Sequence, residues 1–256
     1  MDKSRFYLLG SFRFVCAAGS VSTITSSREV AVITVLALSQ DYSCARSKII
    51  DLLWSDRCSE QGRSSLRHAL WSLKKKLNSD NPDLLQIDRR RVHLNTEVCF
   101  VDTRSFIDLA QSQKPQDMEH AVSMYRGELL EALDVNDREW EAWLDIERTR
   151  LQMKYAHCLQ SLGAHYRARG DGRNLINTGL QLIEHNPLWE EGHRVLMEAY
   201  ALTHQKSLAL KQYENYRDMI YRELHSHPEI VIQQLYESIK SGKSDIARAR
   251  LSGRFD

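Results

Sequence analysis

The stretch GRSSLRHALWSLKKKL, residues 62–77, places Arg63, Arg67, Lys74, Lys75 and Lys76 beside His68 and Trp71 and contains no acidic residue. Guanidinium and ammonium groups at this density donate charge-assisted hydrogen bonds to oxyanions, and an indole among them adds a planar face. The chemistry on offer is recognition of a polyanion. The spacing of the leucines says how these groups are held. Leu66, Leu70, Leu73 and Leu77 recur at three and four residues, which is one face of an α-helix. At 100° per residue the opposite face carries Ser64, Arg67, His68, Trp71 and Lys75, flanked by Arg63 and Lys74. A merely solvated face would mix signs in i,i+4 pairs.

Other chemistries find no support. The sequence has no phosphate-binding glycine loop, dinucleotide fingerprint, H-E-x-x-H or G-x-S-x-G motif. Glu139, Glu141, Asp145 and Glu147 alternate with arginines on a helical stretch and read as a solvated face rather than acid/base pairs. His225 and His227 lack third and fourth partners for a metal. Trp140, Trp143 and Trp189 read as large core anchors. No active site, cofactor or metal is expected.

Charge separates along the chain. Residues 1–104 hold 16 Lys and Arg against 11 Asp and Glu, whereas the remainder holds 19 against 23. A basic front and an acidic back assign the polyanion to the front and a different partner to the back. Five cysteines, odd in number and never spaced C-x-x-C, point to a reducing, cytoplasmic setting. The longest apolar run, VAVITVLAL from Val30 to Leu38, has about half the length a bilayer span needs.

The elements that must position the basic helix follow from local pattern. FYLLGSFRFV, Phe6 to Val15, alternates and predicts one or two strands; Arg28 to Ser39 predicts a helix. Ser43 is the candidate cap for a second helix, Ser47 to Trp54, with Ile49, Leu52 and Leu53 inward. Ser55 to Ser59 is a polar turn before the basic helix, and SDNPD, Ser79 to Asp83, ends that helix. LLQIDRRRVHLN then alternates about a polar centre and predicts a hairpin with Arg89, Arg90 and Arg91 at or beside its tip. Strands, three helices and a terminal hairpin make a winged helix-turn-helix.

The motifs IIDLLWSD, GRSSLRHALWSLKKKL and LLQIDRRRVHLN resemble the OmpR/PhoB-type DNA-binding domain at the head of SARP-type regulators, over most of residues 5–104. The tip DRRRVH lacks the glycine many such wings carry, which leaves open how far the wing reaches. The resemblance implies double-stranded DNA as partner, with Ser64, Arg67, His68, Trp71 and Lys75 in or over the major groove. Arg67 is then the first choice for a bidentate contact to guanine. Arg63, Lys74, Arg89, Arg90 and Arg91 would meet phosphates or the neighbouring minor groove. Trp71 packed on the wing or a partner domain, and His68 as rim filler, are the alternatives for those two residues.

Beyond Asp102 the pattern is helical: Phe106 to Ala110, Met118 to Tyr125, Trp140 to Tyr166, Leu175 to Glu184, Glu191 to Leu202, Leu208 to Leu224 and Glu229 to Ser241. A period of 34 relates Tyr166 to Tyr200, Leu162 to Leu196 and Leu182 to Tyr216, with Pro187 closing a unit. These units resemble tetratricopeptide hairpins. YRGELLEAL, REWEAWLDIERTRLQMKY, NPLWEEGHRVLMEAYAL and ALKQYENYRDMIYREL are similar to the bacterial transcriptional activator domain that follows the winged helix in the same family. The expectation is an α+β winged helix over residues 1–104 and an all-α tetratricopeptide-like domain over 105–256. By resemblance the protein activates transcription, binds tandem sites as a homodimer, approaches RNA polymerase and meets a protein partner in the repeat groove, away from any membrane. The rival is a tetratricopeptide-type adaptor whose winged helix binds no DNA.

Overall fold

The computed structural model describes residues 3–22, 24–78 and 81–242, and among them shows seven strands and ten helices. A winged helix-turn-helix comes first and a helical, tetratricopeptide-like array follows. Contacts gather the described residues into two compact units, one from those within 1–112 and 120–155, the other from those within 113–119 and 156–242.

In the first unit β1 (Ser4–Tyr7), β2 (Arg13–Val15), β3 (Val21–Ser22) and β7 (Cys99–Val101) form a sheet of order β3-β2-β1-β7. The period-2 alternation puts Phe6 opposite Phe14, both buried and stacked at 4.7 Å. Gly10, at φ 92°, makes the turn after β1 in a conformation that favours glycine. β1 and β2 were legible; β3 has only two residues, and β7 is set by its pairing with β1, remote in sequence. β7 runs parallel to β1, and Asp102 just beyond it accepts hydrogen bonds from the Leu8, Leu9 and Thr103 N–H groups.

Helix α1 (Ser27–Leu38) is the long apolar run, buried from Glu29 to Ala37, so that run is a core helix. The second sheet, β4 (Ser43–Ala45), β6 (Arg91–Leu94) and β5 (Leu85–Ile87), has the order β4-β6-β5. Here the structure corrects one expectation. Ser43 does not cap α2 (Arg46–Leu53): it pairs with His93 in β4, and Ala45 occupies the cap position without a side-chain bond. Strand pairing with β6 takes the chain before a cap can form. Ile49 and Leu53 face inward and Leu52 is half-buried, while the next residue, Trp54, is buried.

Helix α3 (Ser59–Asn78) buries Leu66, Leu70, Leu73 and Leu77, as their spacing requires. Gly62 lets it approach α2, since a Cβ there would lie 2.6 Å from Ile50 Cγ2. Of the helix-ending SDNPD, Ser79 and Asp80 lie outside the described residues; Asn81 receives the Asp83 N–H in a turn.

The rest of the first unit includes α4 (Asp102–Ala110) and the start of α6 (Arg138–Arg169). Leu130 N donates to Leu8 O and Gly10 N to Glu128 O. Tyr125 stacks on Tyr155 at 4.3 Å and Trp140 is fully buried, while Trp143 is only half-buried. α5 (Pro115–Met124) and α6 each contribute to both units, and α6 is one continuous helix across the polar gap at Glu147 and Arg148.

In the second unit α7 (Gly172–His185), α8 (Glu190–Leu202), α9 (Lys206–Leu224) and α10 (Ile230–Ser241) pack in succession. The residues matched at 34 positions apart are apolar anchors: Leu162, Leu196, Leu182, Tyr216 and Tyr166 are buried and Tyr200 is half-buried. Gly179 permits the close packing of α7 on α8, because a Cβ there would meet Leu196 backbone at 3.0 Å. Trp189, expected as a core anchor, is half-buried at the α8 cap.

Candidate nucleic-acid interface

The wet face of α3 is the one the leucine stripe dictates. Arg63, Ser64, Arg67, His68, Trp71, Lys74 and Lys75 are all exposed, and Trp71 keeps 65% of its surface in solvent. Trp71 thus does not pack on the wing. It has His68 at 6.3 Å between ring centroids and the Lys75 ammonium 5.6 Å from its ring. Lys76, the last base of the run, turns inward to the buried Glu29 carboxylate of α1 at 2.6 Å, fastening α3 to the core. The outer bases are treated differently. Among the described residues Arg63, Arg67, Lys74 and Lys75 pair with no carboxylate and point to solvent together.

The wing is the β5–β6 hairpin. Its tip needs no glycine because Asp88 organises it: the carboxylate accepts the Arg90 and Arg91 N–H groups at 2.6 and 2.7 Å. Those two bonds, that from Arg91 first, hold its pKa below the usual value. Arg89 and Arg90 are exposed at the tip. Arg91 is exposed too, but its guanidinium folds back on β4, donating to Ser43 Oγ at 2.8 Å and Ser43 O at 3.1 Å.

The structure adds cations that sequence reading missed. Arg46, at the start of α2, donates to Asp88 O at 3.2 Å and lines an open cleft of about 770 Å³ with Arg57, Arg63, Arg67 and Arg89; Asp51 and Glu60 also border it. Arg46 and Arg57 lie outside the basic run, and nothing local in the sequence ties them to it. Asp137, one residue before α6, was also missed. Its carboxylate accepts Ser55 N at 3.0 Å and Ser55 Oγ at 2.9 Å, fixing the turn from which α3 starts.

The residues set aside for other chemistry are scattered. Glu139 and Asp145 are exposed, as a solvated face requires, but Glu141 and Glu147 are half-buried, and Glu147 pairs with Arg150 at 2.8 Å and has its pKa raised by burial. Among the described residues no cluster of His, Cys, Asp and Glu is arranged to hold a metal, and no helix is long and apolar enough to cross a membrane.

A winged helix whose third helix presents an unpaired basic face, followed by a tetratricopeptide-like array, defines a regulator of the SARP type. Residues 104–240 match the bacterial transcriptional activator domain, and the chain belongs to that family. Its fold is similar to that in the solved structure of Mycobacterium tuberculosis EmbR in complex with a low-affinity phosphopeptide. The TM-score is 0.69 at 19% identity, over 98% of this chain and 70% of that one. No curated protein sequence matches the chain. The family is one of transcriptional regulators, not of enzymes.

Proposed function

We propose that the protein is a sequence-specific DNA-binding transcription activator, with residues 1–104 as reader and 105–256 as the part that meets other proteins. One observation carries the reading: Arg63, Arg67, Lys74 and Lys75 stand exposed together on one face of α3, with Arg89 and Arg90 exposed at the wing tip, and among the described residues the only acid-paired base of the run is the inward-turned Lys76. Exposed unpaired cations on one helix face, with a solvated indole at their centre, suit a phosphate-lined groove. Ser64, Arg67, His68, Trp71 and Lys75 face the base edges of the major groove, Arg67 taking guanine O6 and N7. Arg63, Lys74, Arg89 and Arg90 meet phosphates or the adjoining minor groove, and Arg91 joins them if it leaves Ser43. Paired protomers on tandem sites, contact with RNA polymerase and action in the cytoplasm belong to the same reading.

Selection from a random duplex pool, at two salt concentrations and beside an Arg67→Ala, Trp71→Ala variant, tests it. Enrichment of a motif that the variant loses, as two copies about one helical turn apart, is the expected result. Enrichment no greater than a salt-sensitive background would favour an adaptor that meets only proteins.

A further inference from the structure

A second cleft, of about 570 Å³, meets the wing-side cleft at Trp54 and Arg57, which border both, and continues along the Ser64–His68 side of α3. Ser26 and Arg28 from the start of α1, Arg57 from the α2–α3 turn, and Ser64, Ser65 and His68 from α3 line it. Its charge is one-sided. The carboxylate in its lining, Glu29, is already matched by Lys76 at 2.6 Å. Arg28 and Arg57 pair with no carboxylate among the described residues. The Arg28 guanidinium sits 5.6 Å from the Trp54 ring, and its Nε is closed off from solvent with no hydrogen-bond acceptor. Arg57 is held by one arm, donating to Ser65 Oγ at 2.8 Å. The Ser26 hydroxyl makes no capping bond to α1, and Ser64 and His68 are exposed. The cleft thus gathers two guanidiniums and hydroxyls around a single carboxylate, Glu29, that is already paired.

We infer that this cleft seats a backbone phosphodiester of DNA, clamped by Arg28 and Arg57 with Ser26 as a further donor. The inference rests on the proposed DNA reading and deepens it. The major groove that admits a helix is about 12 Å wide and is bordered by a sugar–phosphate strand on each side. With the Arg67–Trp71 ridge in the groove, a bordering strand runs past this cleft. Planar guanidiniums fit a phosphate bidentately. Arg28 and Arg57 therefore supply affinity without sequence preference, in contrast to Arg67.

The test uses the full chain and its Arg28→Gln and Arg57→Gln variants, bound over a range of salt to the selected duplex and to a random one. Melting temperatures of the variants are recorded alongside. Each variant is expected to weaken both duplexes by the same factor and to flatten the log–log salt slope by about one. A duplex with single neutral methylphosphonates gives a reading independent of variant folding: at one position the substitution weakens wild type at least several-fold and leaves Arg28→Gln unaffected. A free phosphate is the other source of the same chemistry, so inorganic phosphate is titrated into wild type without DNA. Saturable phosphate binding with variant salt slopes unchanged would overturn the assignment to DNA. Wild-type slopes and affinities in both variants, beside a wild-type protein that binds its motif, would overturn the clamp alone. A wild type that binds neither duplex would overturn the DNA reading itself.

Discussion

Replacing Asp137 with alanine should cost about 3 kcal/mol of stability, although the residue lies 82 positions from the turn it holds. Asp137 is 7% exposed, and its carboxylate accepts Ser55 N at 3.0 Å, Ser55 Oγ at 2.9 Å and Glu139 N at 3.1 Å. Hydrogen bonds to a charged group contribute about 1.5–3 kcal/mol each, and two that share one carboxylate and one serine do not add, so roughly 2 kcal/mol belongs to Ser55. The Glu139 bond caps the first turn of α6 and adds about 1 kcal/mol. Urea unfolding followed by tryptophan emission reports on the change, since Trp54 adjoins Ser55 and is buried. With a slope of about 2 kcal/mol per molar, the midpoint should fall by about 1.5 M at unchanged slope. Asp137→Asn keeps one acceptor oxygen but sets an NH₂ group where the second stood, and should lose about half as much. A loss below about 1 kcal/mol in the alanine variant would refute the view that this carboxylate fixes the turn ahead of α3.

Burial raises the Asp102 carboxyl to about 6 from 3.8, against the opposing pull of the Leu9, Leu8 and Thr103 N–H groups. The folded chain then holds a proton that the unfolded chain releases between about pH 4 and pH 6, so the stability Asp102 contributes is full below that window and falls as pH rises through it, by about 3 kcal/mol. The fall should be absent in Asp102→Asn; equal pH dependence of urea stability in the two proteins would refute it. Gly179→Ala should lose about 1–3 kcal/mol, because the added methyl meets Leu196 backbone rather than a side-chain end, and an unchanged melting curve would count against that packing. Trp71→Ala, at a residue with 65% of its surface in solvent, should unfold within about 0.5 kcal/mol of wild type yet bind DNA far less well; a large loss of stability would mean that the ring is packed.

Helix α3 was legible because its two faces obey different rules within one short stretch. Leu66, Leu70, Leu73 and Leu77 repeat at the helical period, and the bases between them find no local acid. The wing was legible by alternation, Leu85, Val92 and Leu94 proving buried and Ile87 half-buried. What escaped is non-local. The parallel pairing of β7 with β1, the bond from Ser55 to Asp137 and that from Arg91 to Ser43 join residues 48 or more apart, and each uses a residue whose own neighbourhood shows no pattern. Ser43 illustrates the difficulty. A serine ahead of an apolar helical run suits a cap equally well as a strand, and pairing with His93, remote in sequence, decided it. Arg28 and Arg57 escaped because each is a lone base in its segment, brought to the flank of α3 only by the packing of α1 and α2.

On the proposed function, the exposed face of α3 reads base edges in the major groove, with Arg67 on guanine. Methylation interference on the selected duplex tests it most directly, because a methyl group at guanine N7 blocks that edge and leaves the phosphates alone. One guanine in each copy of the motif is expected at which N7 methylation weakens wild type by about 5- to 150-fold and leaves Arg67→Ala unchanged. Binding indifferent to N7 methylation at every guanine, or weakened equally in Arg67→Ala, would contradict it.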